Sequence, residues 1–222
     1  MNEKVWDSLI QDGWLKTSRI IEAFRVIKRS DFMPEDMRDM ADLNEALPIG
    51  YGQTISQPLT VAFMLELLEP EPGNKILDVG SGSGWTTAIL AEIVSQNGRD
   101  QKLKIKNKKG RVIAVELVPE LKEFGEKNVA KYNFIEKGIA EFLCADGSKG
   151  YEKEAPYDRI LASASGKELP FAWKEQLKIG GRIVAPIGSS IWLFVKNGEE
   201  EFKETEYPGF AFVPLVENRY NK

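Results

Sequence analysis

The sequence predicts an α/β fold: a Rossmann-like, mostly parallel sheet with helices on both faces, an antiparallel C-terminal edge hairpin and a helical N-terminal extension. Three observations carry this. From Lys75 onward, short apolar runs alternate with helical patterns, as buried parallel strands joined by crossover helices do. The run Ile76-Leu77-Asp78-Val79 is broken by Gly80, Gly82 and Gly84 and leads into a helical stretch, the opening of a nucleotide-binding βαβ unit. Near the end, Ile191–Lys196 precedes Asn197-Gly198, the dipeptide best suited to a two-residue hairpin.

In chain order, the pattern reads as one domain over residues 1–222, with an extension at 1–70 and an α/β core at 71–222. Val5-Trp6-Leu9-Ile10 and Ile20-Ile21-Phe24-Ile27 have helical apolar spacing. The turn-rich stretch Leu47–Gln53 predicts a loop, followed by a helix from about Gln57. Ser56 ahead of Pro58 can serve there as a helix cap. In the core, strand 76–79 and helix 86–94 precede a polar insertion at 97–110. Strand 111–116 and a helix from Pro119 to about Tyr132 follow, then strands at 141–144, 159–162, 182–185 and 191–196.

Acidic residues end successive strands. Asp78 stands two residues before the first glycine, Glu116 closes the second strand, and Asp146-Gly147 follows the third. A carboxylate at the tip of the second strand is suited to ribose hydroxyls. One such acid alone is more often a cap or a solvated loop residue; three in series favour a nucleotide ligand.

Composition narrows the chemistry. The 222-residue chain contains no histidine, which removes the commonest general base and metal ligand. Its single cysteine, Cys144, permits no intramolecular disulfide and reads as a small core residue. No metal-spaced cluster is present, and no metal site is expected. The N-terminus is charged, and the longest apolar run, Leu59–Leu68, is interrupted by Glu66. A cytoplasmic protein without a membrane span is therefore expected.

The G-x-G-x-G spacing behind Asp78 resembles the first motif of S-adenosylmethionine-dependent methyltransferases, whose acid and glycines hold the methionine end of the cofactor. The segment Leu47–Pro58, with Thr54-Ile55-Ser56, is similar to the signature of protein-L-isoaspartate O-methyltransferases. Phe32-Met33-Pro34, Ala155–Ile160, Gly180-Gly181-Arg182, Pro186-Ile187-Gly188 and Phe212–Leu215 match in order, so the resemblance covers about residues 25–216. It implies repair of damaged proteins: a methyl group passes from S-adenosylmethionine, leaving S-adenosylhomocysteine, to the free α-carboxylate of an isoaspartyl residue. The ester then collapses to a succinimide, part of which hydrolyses to a normal aspartyl linkage. By the same resemblance Ser56 is the active-site hydroxyl, and Thr54, Ile55 and Gln57 belong to the cofactor-covering loop. Asp78, Gly80, Ser81, Gly82, Ser83 and Gly84 would hold the cofactor's methionine end. Glu116 would hold the ribose, with Leu117, Asp146 and Gly147 bordering the adenine.

Such chemistry suits a chain without histidine, because a carboxylate with a reference pKa near 4 is already ionised at neutral pH. The implied partners are isoaspartyl proteins and peptides, met by a monomer with no membrane or nucleic-acid partner. A second reading is a tRNA-type methyltransferase using the basic insertion 99–111, which carries seven Lys or Arg and one acid. A third is a methyltransferase-like binding module without catalysis.

Overall fold

A computed structural model describes residues 4–96 and 109–216. The N-terminal segment forms α1 (Lys4–Gln11) and α2 (Ser18–Val26), which bury Leu9, Ile20, Ala23 and Phe24. No side chain of Thr17 caps α2. Instead Glu66 accepts from the Lys16 and Thr17 amides at 2.8 Å each and from the Thr17 hydroxyl at 2.7 Å. The charge that interrupts the apolar run at 59–68 thus satisfies donors orphaned at a helix start.

Two 3₁₀ turns, Arg29–Phe32 and Glu35–Met40, lead to β1 (Leu47–Gly50) and β2 (Gln53–Ile55). The sequence predicts a loop here; the structure has an antiparallel hairpin. Gly50, Tyr51 and Gly52 all take positive φ, of 92°, 54° and 70°, which reverses the chain tightly enough for Leu47 to face Ile55. Next comes α3 (Pro58–Leu68), with Gln57 and not Ser56 in its cap position. Ser56 is therefore not the cap of this helix.

The core consists of β3 (Lys75–Val79), α4 (Trp85–Ser95), β4 (Arg111–Glu116), α5 (Pro119–Ala130), β5 (Ala140–Cys144) and β6 (Tyr157–Ala162), followed by α6 (Phe171–Gln176), β7 (Leu177–Ile187), β8 (Ser190–Lys196) and β9 (Phe202–Pro208). The seven strands lie in the order β5-β4-β3-β6-β7-β8-β9, parallel through β7 and antiparallel at β8 and β9. The predicted sheet is borne out, but its two-residue turn lies elsewhere. Gly188-Ser189 joins β7 to β8, with Ile187 paired to Ser190 and Gly188 at φ 59°. Asn197-Gly198 opens a longer connection, closed where the Asn197 amide donates to the Glu201 carbonyl at 2.8 Å. The register there ends on Lys196 and Phe202, which leaves five residues to turn and no need for paired positive φ.

Chain order along the sheet reverses at β3, because β4 and β6 flank it on opposite sides. In open α/β sheets ligands bind beyond the carboxyl ends of the strands at such a switch point. Close helix packing supports the spot: a Cβ on Gly84 would lie 2.7 Å from the Gly125 carbonyl oxygen, so only glycine admits this approach of α4 to α5. The extension joins the same apolar core, where Phe24 meets Trp85 edge-on at 5.8 Å. Cys144, expected in the core, is exposed, because it sits at the carboxyl tip of the edge strand β5. The basic insertion lies outside the described residues except at its end. There the Lys109 ammonium donates to the Lys137 carbonyl, and Arg111 pairs with Glu154 at 2.9 Å and with Glu141.

Candidate active site

A cavity of about 380 Å³ opens beyond the carboxyl ends of β3 and β4. One wall is the segment Gln53–Gln57, running from the hairpin into α3, and the floor is the turn Gly80–Ser83. Glu116, Leu117 and Val118 form a side, while Ser163, Ala164 and residues 211–216 close the opposite wall. The 211–216 segment is held from two directions. The Ser165 amide donates to the Val213 carbonyl and the Leu215 amide to the Ser165 carbonyl, both at 2.8 Å, and Phe210 stacks on Phe63 of α3 at 5.4 Å.

The turn after β3 is rigidly placed. Gly80, Gly82 and Gly84 have φ of 74°, 50° and 83°, conformations that side-chain-bearing residues rarely adopt. Glu116, 7% exposed, fixes the turn to β4: one carboxylate oxygen accepts from the Gly82 amide at 2.8 Å, the other from the Leu117 and Val118 amides at 2.8 and 3.1 Å. A carboxylate offers about four acceptor sites, so these bonds leave room for one more donor. The Ser81 hydroxyl, buried in the floor, has no hydrogen-bond partner within the protein. No side chain caps α4, whose positive end begins at the cavity with Trp85 and Thr86 and favours negative charge nearby.

Of the residues expected at the site, Thr54, Ile55, Ser56, Gln57, Gly80, Ser81, Gly82, Ser83, Glu116, Leu117 and Gly147 line this one cavity. Asp78, Gly84 and Asp146 do not. Asp78 lies beneath the turn, wholly buried, with Oδ2 accepting from the Thr87 hydroxyl at 2.6 Å and Oδ1 without a partner. Burial pushes its pKa up to about 7, against the Thr87 hydrogen bond and with help from the Glu116 charge. Gly84 is occupied by its contact with α5. Asp146 caps the 3₁₀ turn at Gly147–Lys149, accepting from the Ser148 amide at 3.0 Å and hydroxyl at 2.7 Å. Gly147 itself admits no side chain, since a Cβ would come within 2.5 Å of Val79 Cγ1.

The sequence does not point to Trp85 or Thr60 as cavity residues, whereas Ser163 and Ala164 belong to the segment 162–166 that the family resemblance sets beside the substrate. Phe212–Leu215 carried part of the family resemblance but gave no sign that it returns to the glycine turn.

A family model described as protein-L-isoaspartate(D-aspartate) O-methyltransferase matches residues 1–220. The chain belongs to this family. Its activity is therefore O-methylation of isoaspartyl residues, the step that starts their repair. The protein-L-isoaspartate O-methyltransferase of Methanopyrus kandleri is 42% identical over 218 residues, covering 96% of this chain and 90% of the relative. That of Staphylothermus marinus is 40% identical, covering 96% and 92%. Among solved structures, a Plasmodium falciparum protein crystallised with S-adenosyl-L-homocysteine superposes with a TM-score of 0.83 over 97% of this chain and 98% of its own. At 22% identity that likeness shows the fold alone. A solved protein-L-isoaspartate O-methyltransferase, 26% identical, superposes with a TM-score of 0.81 over 97% of this chain and 66% of its own. No described helix is long and apolar enough to cross a membrane.

Proposed function

We propose that Ser56 orients the isoaspartyl α-carboxylate for methylation, and that the Gly80–Ser83 turn, Glu116, Leu117 and Gly147 hold S-adenosylmethionine. One observation carries this reading: Ser56, the glycine turn and Glu116 face a single cavity at the sheet's switch point. The residues fit a nucleoside joined to an amino acid. Glu116 retains acceptor capacity for a ribose hydroxyl, the buried Ser81 hydroxyl suits a polar group, and Val79, Val115 and Leu117 offer apolar surface to a base. When bound, S-adenosylmethionine supplies an electrophilic methyl group and leaves as S-adenosylhomocysteine.

The chain's own task is placement. The substrate carboxylate is ionised at neutral pH, so no base has to remove a proton. Holding two reacting groups in line can lower a barrier by roughly 7–11 kcal/mol. The Ser56 hydroxyl donates one hydrogen bond to the carboxylate and fixes the oxygen that attacks. The 54–57 and 211–216 segments form facing walls of the cavity. Asp78, which has no surface on the cavity, supports the turn from below. Asp146 acts through Gly147 by capping its turn. The extension and core work as one domain, and the protein works as a monomer. Lys203, Glu204 and Glu206 lie exposed on the edge strand β9, where charge discourages pairing with another sheet.

Ser56→Ala tests the role of the hydroxyl. Losing a hydrogen bond of about 1.4–2.7 kcal/mol in the transition state slows single-turnover transfer to an isoaspartyl peptide roughly 10- to 100-fold. Cofactor affinity should stay near wild type, and the rate should stay flat with pH near neutrality. An unchanged rate would remove Ser56 from the mechanism; lost affinity at an unchanged rate would make it a cofactor ligand.

A further inference from the structure

The guanidinium of Arg29 takes no part in the steps above, yet it is among the most heavily bonded groups near the cavity. It is 3% exposed. Nη1 donates to the Ala41 and Leu43 carbonyls at 3.1 and 2.9 Å, and Nη2 donates to the Glu45 and Ser56 carbonyls at 2.7 and 3.1 Å. It lies 5.3 Å from the ring centre of Trp85. No ion pair among the described residues involves it. A cation desolvated without a counter-ion is costly, so its carbonyl partners are what keep it in place. Burial lowers its pKa to about 10, which still leaves it charged at neutral pH.

The position of the carbonyls is the telling point. Glu45 lies just before β1, and Ser56 directly follows β2. The same nitrogen therefore spans the open end of the hairpin, beyond the Leu47–Ile55 pair. This hairpin is a two-stranded sheet with no third strand, a form that is marginal by itself.

We propose that Arg29 is a positioning residue for methyl transfer: its guanidinium clamps the open end of the β1–β2 hairpin and fixes the Ser56 backbone, which sets where the Ser56 hydroxyl meets the substrate carboxylate. The proposal rests on the role given to Ser56 above. Lysine does not replace this fork, because an ammonium is a point charge with three donors and no planar span. A misplacement of about 1 Å from a residue remote from the chemistry can cost roughly 100-fold in rate.

The test is Arg29→Lys in the full-length protein, alone and with Ser56→Ala. Three quantities are read: single-turnover transfer to an isoaspartyl peptide, calorimetric affinity for S-adenosylhomocysteine, and hydrogen exchange of residues 45–57. Transfer should slow about 10- to 100-fold, affinity should hold within about twofold because the glycine turn and Glu116 are untouched, and exchange over 45–57 should quicken. The double variant should be no slower than the slower single variant. A wild-type rate in Arg29→Lys, or multiplying losses in the double variant, would overturn the proposal. If Ser56→Ala alone reaches the wild-type rate, the hydroxyl's role falls. Arg29 as a positioning residue acting through that hydroxyl is then overturned as well, and faster 45–57 exchange in Arg29→Lys would show only that it holds the hairpin. Should the lysine variant not fold, Arg29→Gln takes its place; failure of both to fold would reduce Arg29 to a purely structural residue.

Discussion

Replacing Asp78 by asparagine probes the electrostatics beneath the glycine turn. The carboxyl is wholly buried, accepts one hydrogen bond from Thr87, and has its pKa raised from 3.8 to about 7, chiefly by burial. Between about pH 4 and pH 7 the folded protein keeps a proton that the unfolded chain has released, so stability falls as pH rises through that window. The favourable contribution is fully present below about pH 4 and is gone above about pH 7. At about 1.4 kcal/mol per pKa unit, the total is about 4 kcal/mol. Asparagine carries no such proton and escapes this loss. Its amide nitrogen, however, brings two N–H donors to the position of Oδ1, which has no partner, where the protonated carboxyl brings one O–H, and the additional unsatisfied donor costs about 1–3 kcal/mol. Asp78→Asn should thus be less stable than wild type near pH 4.5 and more stable by about 1–3 kcal/mol near pH 8, with the difference crossing zero between. Urea unfolding at half-unit intervals over that range measures it. Parallel stability curves for the two proteins would refute the reasoning, because they would mean that Asp78 titrates alike in the folded and unfolded chains.

Glu116→Gln keeps the shape of the side chain but surrenders one acceptor oxygen and the charge that hold the Gly82, Leu117 and Val118 amides. At about 1.5–3 kcal/mol for a hydrogen bond to a charged group, calorimetry should show S-adenosylhomocysteine binding roughly 10- to 100-fold weaker, and wild-type affinity would contradict the assignment. Sedimentation equilibrium should return a mass near 25.0 kDa; a value near twice that would contradict the monomer.

Local pattern made the central unit legible. Ile76–Val79, three glycines and an apolar helix can hardly be arranged except as strand, tight turn and helix, and Glu116 at the end of the next strand falls beside that turn. Long-range placement was not legible. Arg29 stands in a polar stretch that looks like any solvated turn, and its burial depends on carbonyls 12 to 27 residues away. The far wall is set by a bridge between Ser165 and Pro214, a contact that leaves no periodicity in either segment. Asp78 and Asp146 had the right residue type at the right strand ends, but sequence could not say that one points under the turn and the other caps it. At the hairpin near the end, Asn197-Gly198 carried the stronger turn chemistry, yet register across three strands chose Gly188-Ser189 for the tight reversal.

The cavity draws its opposing walls from residues 53–57 and 211–216, with the whole seven-stranded sheet between them in the chain. Contacts so distant in sequence incur their loop-closure entropy before they return any stabilisation. The two walls stand opposite each other only where the sheet that separates them in the chain is assembled. A chain halted part-way, with β3 and α4 formed but the last strands unpaired, holds a glycine turn open to water and no enclosed reaction space. On the role proposed for this cavity, competence for methyl transfer thus depends on the entire topology, and loosening either distant segment should lower it.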